Sequence, residues 1–140
     1  MRATIERGAP LLGICVGMQL LYERALEGGE HVGFGVFAGT VAPFARAPRV
    51  PHIGWNRLEL LAEHPFVRGV ADGSYAYFLH GYRAGIDART LAQTEHGDHF
   101  ASIVARDNVM ATQFHPEKSQ ATGARLLSNF VAIVRDGVTR

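Results

Sequence analysis

The most constraining stretch of the chain is residues 10–17. There an apolar run, Pro10-Leu11-Leu12-Gly13-Ile14, ends in the pattern Gly13-Ile14-Cys15-Val16-Gly17. A short apolar run with a β-branched end fits a strand buried on both faces, as parallel strands are. Beyond Cys15, residues Met18, Leu21, Tyr22, Ala25 and Leu26 recur at helical spacing, and Gly28-Gly29 supply a stop. The stretch therefore reads as strand, sharp turn, helix, the unit of an α/β fold. Gly-x-Cys-x-Gly at such a junction has the form of a nucleophile elbow, with cysteine in place of the usual serine.

The remainder predicts what surrounds that unit. Trp55–Leu60, Tyr75–Leu79, Thr90–Glu95, Phe100–Ala105 and Val109–Phe114 are short apolar or β-branched runs bounded by turn residues. His96-Gly97-Asp98-His99 is expected to turn a hairpin between two of them. A closing helix is predicted from about Thr122 to Arg135, with Leu126, Leu127, Phe130, Val131 and Val134 on one face and Asp136-Gly137 ending it. Met1–Arg7 reads as the tail of a helix feeding the first strand. The expectation is an α/β domain with a mixed, partly antiparallel sheet flanked by helices, spanning residues 1–140 as one unit. A strand apolar on both faces needs neighbours on both sides. Either later strands surround it, or an earlier part of the fold is absent.

Composition narrows the function classes. Fourteen Lys+Arg against thirteen Asp+Glu leave a net charge of +1 with no run of like charge, which argues against a nucleic-acid binder. No segment approaches the ~18 consecutive apolar residues of a membrane span, and the first residues lack a signal-peptide core. One cysteine permits no internal disulfide. The chain reads as cytoplasmic.

Cys15 has two readings, a small buried hydrophobe or a nucleophile. At a strand-to-helix turn the helix would point its positive end at the sulfur, and the Val16 amide would be free to bond a developing oxyanion. Gly13 and Gly17 would let strand and helix pack closely around the turn. Gln19, four residues on, lies on the same helical face, although a solvated helix residue is the plain reading of a lone glutamine. A nucleophilic cysteine needs a base. His115 follows the run Val109–Phe114 and so stands at a strand end, where open α/β sheets place their sites. Glu117, two residues on, can orient its imidazole. His96-x-x-His99 with Glu95 and Asp98 has metal-like composition, but a solvated turn is the better reading. Trp55 reads by itself as a core aromatic of a strand.

Gly13-Ile14-Cys15-Val16-Gly17-Met18-Gln19, taken with Phe114-His115-Pro116-Glu117, resembles the class I glutamine amidotransferases. Val50-Pro51-His52-Ile53-Gly54-Trp55-Asn56 and His115-Pro116-Glu117-Lys118-Ser119-Gln120 are similar, more narrowly, to the glutaminase subunits of imidazole glycerol phosphate synthases, which serve histidine biosynthesis. The resemblance implies a flavodoxin-like or Rossmann-like mixed sheet, and a triad in which Cys15 attacks glutamine, His115 moves protons and Glu117 orients His115. It implies substrate contacts from Val16, Gln19, Gly81 and Tyr82, where Gly81 replaces the family's usual serine. Trp55, Asn56 and Lys118 match positions turned toward a (β/α)₈-barrel cyclase that receives the ammonia. No cofactor or metal is implied. The family begins with β/α units before the nucleophile strand, including a glycine-rich loop that supplies a second oxyanion amide. These units are not matched here, which keeps open a non-catalytic fragment that binds the cyclase. Another class I amidotransferase is the remaining alternative.

Overall fold

The structure is a computed structural model and describes residues 1–137. In chain order it contains helix α1 (Arg2–Glu6), strand β1 (Leu11–Ile14), helix α2 (Val16–Gln19) and strands β2 (Tyr22–Ala25), β3 (His31–Val32), β4 (Phe37–Pro43), β5 (His52–Arg57) and β6 (Glu59–Leu60). Strands β7 (Tyr75–His80), β8 (Tyr82–Arg83), β9 (Thr90–His96), β10 (Asp98–Arg106) and β11 (Val109–Thr112) follow, and helix α3 (Gln120–Asp136) closes the chain. Single 3₁₀ turns lie at Pro65–Val67 and Pro116–Lys118.

The central sheet has the order β1-β11-β10-β9-β6. Strand β11 runs parallel to β1 and antiparallel to β10, so the sheet is mixed, as the sequence predicts. The expected hairpin joins β9 to β10, with Asp98 facing His96 across Gly97. The predicted strand Trp55–Leu60 divides at Leu58, because β5 pairs with β7 whereas β6 pairs with β9.

Strands β10 and β11 are buried on both faces, and each face has its own core. Phe100, Ile103, Ala105 and Met110 pack with Phe66, Phe78, Phe114, Leu126 and Ile133 on the side covered by α3. Ala101, Val104, Val109 and Ala111 pack with Met18, Leu21, Tyr22, Phe37 and Val41 on the other. A bulge between Ala101 and Ile103 lets Phe100 and Ile103, three residues apart, share a face. The second face is covered by α1 through Ile5, the single turn of α2 and the sheet β3-β2-β4-β8.

Three local expectations are corrected. The helix after Cys15 lasts one turn and gives way to β2 at Tyr22. The carbonyls of Leu20, Leu21 and Tyr22 accept from the amides of Phe34, Val36, Phe37 and Gly35, so they are taken by another segment before a longer helix can use them. Gly33 makes this approach possible, because a Cβ there would collide with the Tyr22 carbonyl oxygen. Helix α3 spans the predicted residues, and Leu126 and Phe130 pack on the core as expected, but Gly123, Asn129 and Ile133 complete the buried face in place of the two valines. Val131 and Val134 are 60% and 55% exposed. Asn129 turns inward because its amide donates to the Phe66 and Arg68 carbonyls, capping the turn at residues 65–67. Finally, β1 is an edge strand with β11 as its neighbour, and Leu11 and Leu12 are half-buried where burial on both faces was expected.

Candidate active site

Parallel pairing of β1 with β11 brings residues 15 and 115 to one end of the sheet. Ile14 lies opposite Thr112, and the Cys15 amide continues the ladder by donating to the Thr112 carbonyl at 2.8 Å. Three residues later the chain reaches His115, whose amide donates to the Tyr77 carbonyl of β7 at 3.0 Å. Sites of open α/β sheets form at such carboxyl ends.

Cys15 has φ 55° and ψ −108°, a region that L-residues avoid. Such backbone costs ~1–3 kcal/mol and persists where the surroundings over-determine it. The elbow predicted from Gly-x-Cys-x-Gly is therefore present in the backbone itself. Gly13 has the role expected of it: a Cβ there would come within 2.9 Å of the Leu21 side chain and 3.0 Å of the Gly17 backbone. Gly17 does not, since a Cβ there would meet open space.

The thiol of Cys15 is buried, donates to the Leu79 carbonyl at 3.5 Å and accepts from Gln113 Nε2 at 3.7 Å. Burial pushes its pKa above the ordinary thiol value, and the nearby carboxylates of Glu27 and Glu117 add to this. The Val16 amide and Gln113 oppose the rise without cancelling it. The expected bias toward thiolate from a following helix is thus outweighed, because α2 is one turn long and the sulfur has lost water. Deprotonation falls to a base.

His115 and Glu117 form the expected pair, with Nδ1 of the imidazole 2.8 Å from Glu117 Oε2. A carboxylate accepts only, so Nδ1 carries the proton and Nε2 is left basic. The 3₁₀ turn that places Glu117 is fastened by Ser119, whose hydroxyl donates to the His115 carbonyl at 2.7 Å and accepts from the Tyr77 amide at 2.9 Å.

Gln19, read by itself as a solvated residue, is buried. Its Nε2 donates to the Tyr82 carbonyl and to Gln113 Oε1, both at 3.2 Å. Residues 79–82 thus border the nucleophile through the Leu79 carbonyl and the carbonyl that holds Gln19. A Cβ at Gly81 would make an ordinary 3.6 Å contact with Val50, so the position has room for a side chain. Val16 is exposed beside Cys15. Gln113 was not singled out from the sequence. The available signal was a glutamine inside the otherwise apolar run Val109–Phe114.

Trp55 is 48% exposed, against its plain reading as core, and packs edge-on against Tyr77 at 5.8 Å. With Ile53, Tyr75 and Leu79 it forms an exposed apolar face on the β5–β7 pair, and Lys118 is exposed. Strand alternation turns Asn56 the opposite way, toward His52 and the Glu95 carbonyl. A cavity of about 750 Å³ lined by Leu61, His64 and Arg68 shares no residue with this site. Among the described residues no three His, Cys, Asp or Glu side chains are grouped to hold a metal ion, and no helix is long and apolar enough to cross a membrane.

The family profile described as "Glutamine amidotransferase class-I" matches residues 1–134. The chain belongs to this family. It is 45% identical over 132 residues to imidazole glycerol phosphate synthase subunit HisH of Aquifex aeolicus, covering 93% of this chain and 64% of that protein. It is 41% identical over 133 residues to the HisH of Caldanaerobacter subterraneus, covering 94% and 66%. To the HisH of Salinibacter ruber it is 48% identical over 138 residues, covering 92% and 63%. The chain thus spans slightly less than two thirds of the length of these curated relatives. Among solved structures, PurLQS from Thermotoga maritima aligns with a TM-score of 0.70 at 19% identity, covering 94% of this chain and 65% of that one. A glutamine amidotransferase from Thermotoga maritima aligns at 0.62 and 21%, covering 95% and 51%. These structures share the fold.

Proposed function

We propose that this single domain hydrolyses glutamine to glutamate and ammonia as the amidotransferase component of a cytoplasmic imidazole glycerol phosphate synthase, delivering ammonia to a (β/α)₈-barrel cyclase for histidine biosynthesis. The observation that carries the reading is the left-handed backbone of Cys15 at the strand-to-helix turn, with a hydrogen-bonded His115–Glu117 pair in the turn that follows the neighbouring parallel strand at the same end of the sheet. The curated relatives support it through their name.

In this reading His115 Nε2 takes the Cys15 proton, and the thiolate attacks the side-chain amide carbon of glutamine. The Val16 amide donates to the developing oxyanion. Collapse of the tetrahedral intermediate breaks the C–N bond, and His115 returns its proton to the departing ammonia. The same Nε2 then deprotonates water, which hydrolyses the thioester to glutamate and restores the thiol. Glu117 holds the imidazole in the required tautomer and stabilises its charged form. Gln19, Gly81 and Tyr82 line the glutamine pocket. Trp55 and Lys118 lie on the cyclase-facing surface, and Asn56 supports it from the inner side of β5. Because the Cys15 sulfur touches the main chain of β7, ammonia is released directly behind the apolar face.

Intact-mass spectrometry after exposure to a diazoketone analogue of glutamine, with Cys15→Ser as control, tests the reading. Selective addition of one analogue, lost in the Cys15→Ser chain, is the expected result. Cys15 reacting no faster than an unfolded thiol overturns the reading.

A further inference from the structure

The mechanism above leaves two buried histidines without a role. His52 and His80 are 4% and 6% exposed and face each other across β5 and β7. Nδ1 of His52 lies 3.0 Å from Nε2 of His80, and Nδ1 of His80 lies 2.8 Å from the Tyr82 carbonyl oxygen. At the other end, Asn56 Nδ2 is 3.1 Å from His52 Nε2.

These contacts admit one arrangement of protons. A carbonyl oxygen only accepts, so His80 Nδ1 carries hydrogen. A neutral imidazole has a single N–H, so His80 Nε2 must accept and His52 Nδ1 must donate. His52 Nε2 is then an acceptor and needs a donor, which the Asn56 amide provides. The orientation of that amide is fixed independently, since its oxygen accepts from the Arg57 amide at 2.7 Å and its nitrogen donates to the Glu95 carbonyl at 2.9 Å. Both ends of the chain therefore demand the same direction. Burial keeps the rings neutral, with repulsion from His80 and His96 adding to it at His52, and from His96 and His115 at His80. Their pKa values fall to about 3 for His52 and about 4 for His80. Stacking of His52 on Phe78 at 4.7 Å and His96 at 4.1 Å holds the ring planes.

The Tyr82 carbonyl is also the acceptor for Gln19, whose second N–H reaches Gln113, which in turn donates to the Cys15 sulfur. One oxygen thus joins the histidine pair to the groups around the nucleophile. We propose that His52 and His80 are a positioning pair, locked as Nδ1–H tautomers, that fixes the Tyr82 carbonyl and through it Gln19 in the glutamine pocket. The proposal rests on the glutaminase reading and adds residues to it.

Two measurements test it on this chain. Long-range ¹H–¹⁵N spectra of the imidazole rings at neutral pH are expected to show protonated Nδ1 and bare Nε2 at both histidines. An Nε2–H tautomer or a charged ring at either one overturns the lock, whatever the activity. The second measurement compares the rates at which a diazoketone glutamine analogue and chloroacetamide label Cys15. His80→Phe is expected to slow the analogue about tenfold, the worth of one hydrogen bond, and to leave chloroacetamide unchanged. His80→Asn, which keeps a donor at the Nδ1 position, is expected to recover most of that loss. Equal slowing of both reagents, or no recovery with asparagine, assigns the pair a merely structural role and overturns the proposal. A wild-type Cys15 that takes chloroacetamide but not the analogue overturns the glutaminase reading itself, and with it the pair's role at the pocket, even where the tautomers are as described.

Discussion

Acidification should destabilise this protein well above the carboxylate range, and the buried histidine pair sets how steeply. In the unfolded chain His52 and His80 titrate near the ordinary value of about 6.5. In the folded chain their pKa values are about 3 and about 4, chiefly because burial penalises the charged ring. The unfolded state therefore binds more protons than the folded state throughout the interval between these values. Stability rises with pH there, is complete above the unfolded pKa, and is lost as pH falls below it. From about pH 7.5 to about pH 5.5 each ring contributes a loss of about 1.4 kcal/mol, and the pair about 2.7 kcal/mol. His64, lowered by burial, adds a loss of the same sign. Asp98, whose carboxylate is held below its usual value by the Arg46 and Ala45 amides, titrates below this window. With an m-value of about 2 kcal/mol/M, the urea midpoint should drop by about 1.3 M between the two pH values. His52→Asn keeps a donor toward His80 and removes one titrating ring, so about half of that shift should disappear. A variant midpoint that moves with pH as far as the wild type's, or a wild-type midpoint that rises on acidification, refutes the reasoning.

The packing arguments lead to three further expectations. Gly33→Ala drives a Cβ into the Tyr22 carbonyl oxygen and should cost about 2–3 kcal/mol, read in a thermal melt as a fall in Tm of about 10 °C. Leu126→Ala, on the face α3 buries, should cost about 2–5 kcal/mol, whereas Val134→Ala on its open face should stay within about 0.5 kcal/mol. Comparable costs in urea titration would mean the helix packs on the face its valines mark. Gly81→Ser adds a side chain where there is room, so stability should change by less than about 0.5 kcal/mol and Cys15 labelling should be retained. A loss of labelling would show that more than the main chain at this position matters.

The parts of the site legible in the sequence are those whose chemistry is local. Gly13-Ile14-Cys15-Val16-Gly17 carries the elbow in its own pattern, with the left-handed φ of Cys15 where strand and helix meet, and the bond of the Cys15 amide to Thr112 holds it there. His115 and Glu117 are two residues apart, so their pairing is visible in the spacing, although Ser119 and Tyr77 of β7 fasten the turn that makes it. Because β-branched and apolar residues between turn formers mark strands wherever they pair, the β-strand runs at residues 75–79, 90–95 and 100–105 were likewise visible, as was the run from Val109, although its strand ends at Thr112. Less visible was the helix after Cys15. Met18, Leu21 and Tyr22 are all buried, and burial alone does not distinguish a helix from a turn followed by a strand. The decision came from the segment at residues 34–37, whose amides claim the carbonyls of residues 20–22.

The linear sequence thus determined which residues the proposed chemistry rests on, the strand-turn-helix junction that presents Cys15, and the mixed α/β class, since each depends on composition or spacing within a few residues. Tertiary structure alone decided the rest. The outward face of Trp55 and the inward face of Asn56 followed from which side of β5 meets β9. The burial of Gln19 depended on a carbonyl 63 residues away, and the His52–His80 pair on two strands brought together across 28 residues. The rise in the Cys15 pKa has the same origin: the sequence places an amide beside the sulfur, but only packing removes the water around it, and here desolvation is the larger effect.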